Sequence, residues 1–245
     1  MIASMPVHTV YLPGVDFSAV SRTTFEGEEA HHAVRVLRAF AGDGVRLANG
    51  AGQIARGTIS KTLKLGREEG WQVEVTIDAL ERIEPNAPDI HAYVSPPKGD
   101  RLAAMVEALS QVGANAFTPL ITRHTTVDPR EGKVDRMRRV ATESMKQCMR
   151  AWEMQVHAPL SLQEAMHECD SVARVKVVAD VGQPTNTKLT SKRIGFFVGP
   201  EGGWHEDEVR LLAGANAQLV GLGPHIMRIE TAAPVGVAML LLCGV

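Results

Sequence analysis

The sequence is poor in features that mark several common classes of protein. Aromatic residues make up 4% of its 245 residues, which argues against base stacking on exposed rings as the main mode of binding. The formal net charge is −2, so nucleic-acid affinity would require a local basic patch. The cysteines Cys148, Cys169 and Cys243 form neither a CxxC pair nor a zinc-site spacing. Their odd, scattered number predicts reduced thiols and a cytoplasmic protein.

Long hydrophobic runs and targeting signals are also missing. The longest apolar stretch, residues 232–245, is too short to cross a bilayer and is interpreted as a buried terminal helix. The N-terminus lacks a basic segment followed by an apolar one, so we expect no signal peptide. His31 and His32 are adjacent, but no carboxylate or cysteine stands at ligand spacing, so we expect no metal site.

Residues 1–84 have the pattern of short β-segments. The clearest are residues 45–48, 53–59 and 71–77. Asn49-Gly50 is predicted to form a hairpin turn, because both residue types tolerate a positive φ. One helix is expected near residues 28–37, where apolar residues recur at helical spacing. These elements predict a small β-barrel, and the proline-containing residues 85–89 predict a linker after it.

Residues 90–245 change to strands that alternate with helices. The predicted strands are residues 90–95, 117–121, 172–179, 194–198 and 218–222. The predicted helices are residues 100–112, residues 135–150, a segment that begins with three acidic residues at 206–208, and residues 232–242. Several of the strands are continuous apolar runs, which is typical of strands buried on both faces. The alternation predicts a parallel α/β domain.

Two glycine-containing segments directly follow predicted strands, at residues 199–203 and 221–232. In open α/β sheets ligands lie at the carboxyl ends of strands, and glycine lets backbone amides approach them closely. Neither segment ends in the Gly-Lys-Ser/Thr of a phosphate-binding P-loop, and neither supplies the third glycine of a dinucleotide fingerprint. The residues alone leave two explanations open, a shared ligand site and a pair of tight turns.

Two segments resemble signature motifs of one family: GPEGGWHEDEV at residues 199–209 and LGPHIMRIETA at residues 222–232. This is the RsmE-type family of small-subunit ribosomal RNA (uracil-N3) methyltransferases, in the SPOUT superfamily. Residues 32–38, 41–51, 97–101, 118–120 and 147–150 resemble further segments of the same family, so the resemblance covers nearly the whole chain. It implies a PUA-like β-barrel, an α/β methyltransferase domain with a C-terminal trefoil knot, and a homodimer.

The resemblance also implies a cofactor and its binding residues. The cofactor is S-adenosylmethionine, and the reaction is methylation of a uridine at N3 in 16S ribosomal RNA. The implied cofactor-binding residues are Gly199, Pro200, Glu201, Gly202, Gly203, Leu222, Gly223, Ile226, Met227, Glu230, Thr231 and Ala232. A bulky side chain at Gly202 is expected to block close backbone approach to the cofactor. The implied partners are small-subunit ribosomal RNA or the assembled subunit and a second copy of the chain, with no membrane and no metal.

Arg228 is the candidate catalytic residue. Apolar residues flank it on both sides, where a charge is costly unless it has a partner or a function. It could form a structural ion pair with Glu201 or Glu230, or it could stabilise charge on the target base. Thr231 could cap the final helix.

Basic residues are the candidates for RNA binding. They are Arg35, Arg38, Lys98, Arg123, Arg138, Arg139 and Arg150. Residues 123–150 hold eight lysines and arginines against four acidic residues, a net of 8 − 4 = +4, in a chain that is acidic as a whole. A solvated helix face and a patch that follows RNA phosphates both explain such a run.

Several positions on the RNA side depart from the family pattern. Lys146 and Met149 stand where the family has Glu and Gly, and Trp152 and His225 stand where it has Arg. The cofactor motifs are kept better than these positions. Two alternatives therefore stay open: a related enzyme that acts on another nucleotide or on a ribose 2′-hydroxyl, and a non-catalytic RNA-binding relative.

Overall fold

A computed structural model describes residues 9–66, 70–127, 129–185 and 191–243, although the side chains of Glu131 and Cys243 are not included. The chain divides into two units. The first consists of the described part of Met1–Glu84 together with Met145–Glu153. The second consists of the described parts of Pro85–Ser144 and Met154–Val245. The chain thus passes from the second unit into the first at Met145 and returns to the second unit at Met154.

The first unit is built on a five-stranded sheet. Its strands are β1 (Thr9–Tyr11), β2 (Arg22–Phe25), β3 (Gly44–Ala48), β4 (Gln53–Lys64) and β5 (Trp71–Arg82), in the order β1-β3-β4-β5-β2. β1 pairs with β3 in parallel, and the other pairings are antiparallel. The predicted helix is present as α1 (Gly27–His31), which continues as a π-helical turn over His32–Val36. Ala30 and Ala33 of this segment are buried in the core of the sheet.

The connection between β3 and β4 differs from the predicted two-residue turn. Gly50 has a φ of 71° and Gly52 a φ of 90°, but Asn49 is not among the residues with a positive φ. The Asn49 side chain instead accepts hydrogen bonds from the backbone N–H groups of Ala51 (2.9 Å) and Gln53 (3.1 Å). The prediction that Asn49 serves the turn through its backbone is therefore wrong, since its side chain closes the loop.

The second unit contains the predicted parallel sheet. Its strands are β6 (Asp89–Val94), β7 (Ala116–Ile121), β8 (Gln155–Val156), β9 (Leu160–Ser161), β10 (Val175–Ala179), β11 (Arg193–Val198) and β12 (Gln218–Val220). The order is β12-β10-β11-β6-β7-β8, with β9 also paired to β7, and each of these pairings is parallel. The carboxyl ends of the strands therefore lie along one edge of the sheet.

Among the residues that the structure describes, five helices accompany this sheet. They are α2 (Arg101–Val112), α3 (Glu131–Gln147), α4 (Leu162–Ser171), α5 (Glu206–Gly214) and α6 (Ile229–Cys243). α2 ends as predicted at Gly113, which has a φ of 109°. α4 was not predicted, although Ser161 and Glu164 form a capping box at its start, which is a signal readable in the sequence.

The final helix, α6, begins three residues earlier than predicted. Thr231 therefore lies inside its first turn, and the prediction that Thr231 caps the helix is wrong. α6 packs against α2, β6 and β11, where Ala233, Val237 and Leu240 are buried. Leu242 is 83% exposed, so the helix is only partly covered within the chain. Among the described residues, no helix is long and apolar enough to span a membrane.

Candidate active site

Loops at the carboxyl edge of the parallel sheet line two neighbouring cavities. The first cavity, of about 670 Å³, lies between the loops that follow β10, β11 and β12. The second cavity, of about 650 Å³, lies between the loops that follow β6, β7 and β11. Pro200 and Glu201, in the loop after β11, line both cavities. This one loop therefore forms a wall common to the two cavities.

Mostly apolar groups and backbone line the first cavity, together with a few charges. The apolar lining includes Val181, Val198, Trp204, Leu222, Met227 and Ala232, and the charged lining consists of Arg101, Asp180, Glu201 and Arg228. A concave, largely apolar pocket with a few polar groups is the usual form of a small-molecule site, and its volume is ordinary for one. The first cavity is thus suited to a ligand with both an apolar and a polar part.

At two positions in the wall of the first cavity, a residue larger than glycine would be sterically or conformationally unfavourable. A Cβ atom on Gly199 would lie 2.7 Å from the Trp204 indole, so a side chain there would displace the ring. Gly223 has a φ of 152°, a conformation that residues with side chains rarely adopt. A Cβ atom at that position would also lie 3.3 Å from Met227 Cε. Both glycine loops therefore depend on the missing side chain.

The structure brings most of the predicted cofactor-binding residues together. Those that line the first cavity are Gly199, Pro200, Glu201, Gly203, Leu222, Gly223, Ile226, Met227 and Ala232. Gly202 lines the second cavity instead, so the structure gives no support to the expectation that a bulky side chain at Gly202 blocks the cofactor in the first cavity. Glu230 and Thr231 lie in the first turn of α6, outside the lining of either cavity. The two glycine loops therefore share one site, although not every residue of the motifs faces it.

One of the two roles considered for Arg228 was an ion pair with Glu201 or Glu230, and Arg101 forms these contacts instead. Arg101 Nη1 lies 2.7 Å from Glu201 Oε1 and 3.6 Å from Glu230 Oε1, and the hydrogen bond to Glu201 raises the pKa of Arg101 above its ordinary value. Arg228 is exposed at the first cavity and forms no ion pair within the part of the chain that the structure describes. The structural ion pair considered for Arg228 is therefore wrong, and so is the premise that its apolar neighbours bury it.

Polar and basic side chains line the second cavity together with three prolines and Ile229. Its lining includes Ser95, Lys98, Arg123, His124, Thr125, Thr126, Glu201 and Gly202. Two hydrogen bonds hold the loop after β7 in place. The backbone N–H of Arg123 donates to Glu208 Oε1 (2.8 Å), and the hydroxyls of Ser95 and Thr125 are 2.9 Å apart. Two cations in a cavity lined with hydroxyls favour a polar, anionic ligand.

The predicted RNA-binding residues separate between the two units. Lys98 and Arg123 line the second cavity, and Arg138 and Arg139 are exposed on α3. The other three, Arg35, Arg38 and Arg150, belong to the first unit. Arg35 and Arg38 are exposed, whereas burial lowers the pKa of Arg150. The structure thus brings Lys98 and Arg123 together at one cavity, which their separation in sequence did not predict.

The departures from the family pattern have local explanations in the first unit. Lys146 Nζ pairs with Glu29 Oε1 at 2.6 Å, and Trp152 Nε1–H donates to the Ile83 carbonyl at 2.7 Å. Met149 has a φ of 59°, the left-handed region that favours glycine. Arg46 Nη2 donates to the Met149 carbonyl at 2.7 Å. Lys146, Met149 and Trp152 therefore make contacts within this unit and line neither cavity, whereas the fourth departure, His225, lines the first cavity.

The thiols and possible metal ligands are dispersed. Cys148 and Cys169 are free, as expected, and the Cys243 side chain lies outside the described residues. Over the described ranges, no three His, Cys, Asp or Glu side chains cluster in a way that could hold a metal ion. The chemistry available at the two cavities therefore rests on Arg101, Arg228, the glycine loops and the polar groups of the second cavity.

Comparisons with known proteins show which proteins this chain resembles. A family model described as an RNA methyltransferase domain matches residues 84–241, and one described as an RNA methyltransferase PUA domain matches residues 25–64. Ribosomal RNA small subunit methyltransferase E of Bacillus subtilis is 30% identical over 222 residues, which cover 84% of each chain. Its namesake from Synechocystis sp. is 28% identical over 230 residues, 89% of this chain and 72% of that relative.

A solved structure shows the same fold. Ribosomal RNA small subunit methyltransferase E from Neisseria gonorrhoeae, bound to S-adenosyl methionine, aligns with a TM-score of 0.82 at 22% identity, over 97% of this chain and 98% of that one. The predicted α/β fold with a PUA-like N-terminal domain is confirmed. By its sequence motifs, its RNA methyltransferase domain and its 30% identity to the Bacillus subtilis protein, the chain belongs to the ribosomal RNA small subunit methyltransferase E family.

Proposed function

We propose that this chain uses S-adenosylmethionine to methylate a uridine at N3 in 16S ribosomal RNA. Family membership supports the reaction class. The observation that carries the proposal is the pair of cavities on either side of the loop after β11, one glycine-rich and apolar, the other basic. A methyl transfer between two ligands needs two adjoining sites of different character, because the reacting atoms must meet in line.

The residues of the first cavity fit S-adenosylmethionine. Its apolar walls, which include Trp204, Leu222 and Met227, suit an adenine ring, and Asp180 can accept hydrogen bonds from ribose hydroxyls or the amino group. At Gly223, among the described residues, only Met227 Cε lies within 4 Å of the missing Cβ position, at 3.3 Å, so the backbone there is accessible to a ligand. When bound, the cofactor supplies a methyl group made electrophilic by a sulfonium. The Neisseria gonorrhoeae relative, which was solved with this molecule bound, supports the assignment.

Arg228 is the candidate for stabilising charge during the reaction. It lines the first cavity and has no ion-pair partner among the described residues. A guanidinium has little reason to contact a cationic sulfonium, but it suits a uracil carbonyl oxygen that gains negative charge as N3 loses its proton. We therefore assign Arg228 the role of an oxyanion donor.

The basic residues predicted to bind RNA are assigned to the phosphate backbone. Lys98 and Arg123 lie at the second cavity and would hold the target nucleotide, while Arg138 and Arg139 would contact more distant phosphates. We assign residues 1–84, with Arg35 and Arg38, to a separate RNA-binding domain, residues 85–89 to the linker, and residues 90–245 to the catalytic domain. Arg150, a half-buried residue, completes the proposed set.

The assembly is proposed to be a cytoplasmic homodimer with a C-terminal trefoil knot. The partly covered α6 supports the dimer, because Leu242 is 83% exposed and Ala238 and Met239 are only half-buried. The partner in the cell would be small-subunit ribosomal RNA or the assembled subunit. Light scattering at micromolar concentration should give twice the mass of the chain, and a monomer mass would contradict the dimer.

The proposed function is tested by mapping methylated nucleotides in ribosomal RNA from cells with and without this protein. We expect one N3-methyluridine in 16S ribosomal RNA to disappear when the protein is absent and to return with the wild-type chain. Loss of a 2′-O-methyl group, or of a methyl group on another base, would favour the alternative of a related enzyme with another target. An unchanged methylation pattern would contradict an enzymatic role and favour an RNA-binding relative.

A further inference from the structure

The loop after β7 places a histidine directly on the loop shared by the two cavities. His124 lines the second cavity, and its Nδ1 atom lies 2.9 Å from the Gly203 carbonyl oxygen. A Cβ atom on Gly202 would lie 3.3 Å from His124 Cβ, so the two residues are packed together. Gly203 lines the first cavity. The imidazole is therefore anchored to the wall that separates the two cavities.

This contact fixes the tautomer of the neutral imidazole. A carbonyl oxygen can only accept a hydrogen bond, so Nδ1 must carry the proton that is donated to Gly203. Nε2 of the neutral ring then carries a lone pair. Within the described residues, Nε2 has no hydrogen-bond partner, and the side chain is exposed at the cavity. His124 thus presents an oriented proton acceptor beside the proposed nucleotide site.

Transfer of a methyl group to uridine N3 requires such an acceptor, because this nitrogen carries a proton at neutral pH. We propose that His124 Nε2 accepts the N3 proton of the target uridine. The proposal rests on the proposed function. The proton moves from N3 to Nε2, the N3 electron pair forms the new bond to the methyl carbon, and the broken carbon–sulfur bond leaves its pair on sulfur. The imidazolium then releases its proton to solvent at the exposed face.

The other polar groups of the second cavity are poorer proton acceptors. Lys98 and Arg123 are donors without a lone pair to offer at neutral pH, and the hydroxyls of Ser95, Thr125 and Thr126 are weak bases. Glu201 is held in an ion pair by Arg101 at 2.7 Å. Titratable or charged groups on the neighbouring elements include Lys98, Arg123, Glu201, Glu208 and His205. The ring centroids of His124 and His205 are 6.0 Å apart.

The test is a substitution that keeps the hydrogen-bond donor and removes the basic ring nitrogen. His124→Gln can still donate to the Gly203 carbonyl through its amide, whereas His124→Arg offers donors only. The control is His167→Gln, an exposed histidine on α4. Single-turnover methylation is measured on 16S ribosomal RNA from cells that lack the protein, and calorimetry measures S-adenosylmethionine binding. We expect both His124 variants to react about 100-fold or more slowly, in the range typical for loss of a general base, with unchanged cofactor binding.

A further readout separates catalysis from structure. Nitrogen NMR of histidine-labelled protein, without any ligand, should show a proton on His124 Nδ1 and none on Nε2. The opposite tautomer would overturn the proposal.

The outcomes distinguish this inference from the proposed function. If His124→Gln methylates at the wild-type rate while the wild-type enzyme binds cofactor and modifies uridine, the inference fails and the proposed function stands. If the wild-type chain binds no S-adenosylmethionine and methylates no RNA, the proposed function fails and the inference fails with it. If only His124→Gln is poorly folded, the rate of His124→Arg and the NMR tautomer of the wild-type protein decide the question.

Discussion

The two cavities differ in what lines them, although the same sheet edge builds both. Backbone and apolar side chains dominate the first, where Gly199 and Gly223 leave no room for a side chain. The lining of the second includes the cations Lys98 and Arg123, several hydroxyls and His124. The loop after β11 serves both. The difference shows how one edge of a parallel sheet can form two cavities of unlike lining on either side of one loop.

The largest effect that would sharpen this comparison is expected from Arg228→Ala. Arg228 lies in the first cavity but is proposed to act on the base, so turnover should fall by roughly 100-fold or more, which is typical for loss of one oxyanion donor. S-adenosylmethionine binding and thermal stability should change little. Arg228→Lys should restore activity only in part, because lysine lacks the planar guanidinium. Unchanged turnover in Arg228→Ala, or the loss of turnover, binding and stability together, would contradict the role.

A smaller effect is expected when the cations of the second cavity are removed. Lys98→Ala and Arg123→Ala should weaken RNA binding, and each should reduce the dependence of log K on log salt concentration by about 1 unit of slope. S-adenosylmethionine affinity should not change. Arg193→Ala is a suitable control, because Arg193 begins β11 and so lies at the opposite edge of the sheet. RNA titrations at several salt concentrations measure these slopes. Equal slopes for all three variants would contradict the proposal that the second cavity binds RNA.

The smallest effect is expected outside both cavities, at Met149. Its φ of 59° is strained for a residue with a side chain, and the side chain is 41% exposed, so little packing is lost on truncation. Met149→Gly should raise the free energy of unfolding by about 1 kcal/mol, whereas Met149→Ala keeps the Cβ atom and should not. The affinities for S-adenosylmethionine and for RNA should not change in either variant. Denaturant unfolding measures the difference, and equal stabilities of the two variants would contradict the argument from backbone strain.

The parallel sheet and the first cavity were accessible from the sequence because their signals are local. Apolar runs mark the strands, and glycine loops directly after them mark the site. The second cavity was not predicted, because Lys98 and Arg123 follow different strands and meet only through the order β11-β6-β7. That order is a property of the folded sheet, and the spacing of residues along the chain does not contain it.

The failures at single residues have equally specific causes. Apolar neighbours suggested that Arg228 is buried, but it lies in the loop before α6, where its neighbour Ile226 is itself 81% exposed. The ion pair considered as an alternative role for Arg228 is formed by Arg101, which begins α2 and lies 100 residues before Glu201 in sequence. The motif also suggested that all of its residues face the cofactor, whereas Gly202 and Gly203 line different cavities. Adjacent residues in a tight loop can therefore contact different cavities.

Calorimetric titration of S-adenosylmethionine into Gly199→Val and Gly202→Val tests the division between the cavities most directly. The two variants carry the same substitution in the same loop, but a Cβ atom at 199 would lie 2.7 Å from Trp204 in the first cavity, and one at 202 would lie 3.3 Å from His124 in the second. We predict that Gly199→Val binds the cofactor about 10-fold or more weakly, in line with typical overpacking costs, and that Gly202→Val binds it like the wild-type chain. Thermal unfolding of both variants shows that they are folded. Weaker binding by Gly202→Val than by Gly199→Val would contradict the placement of the cofactor in the first cavity.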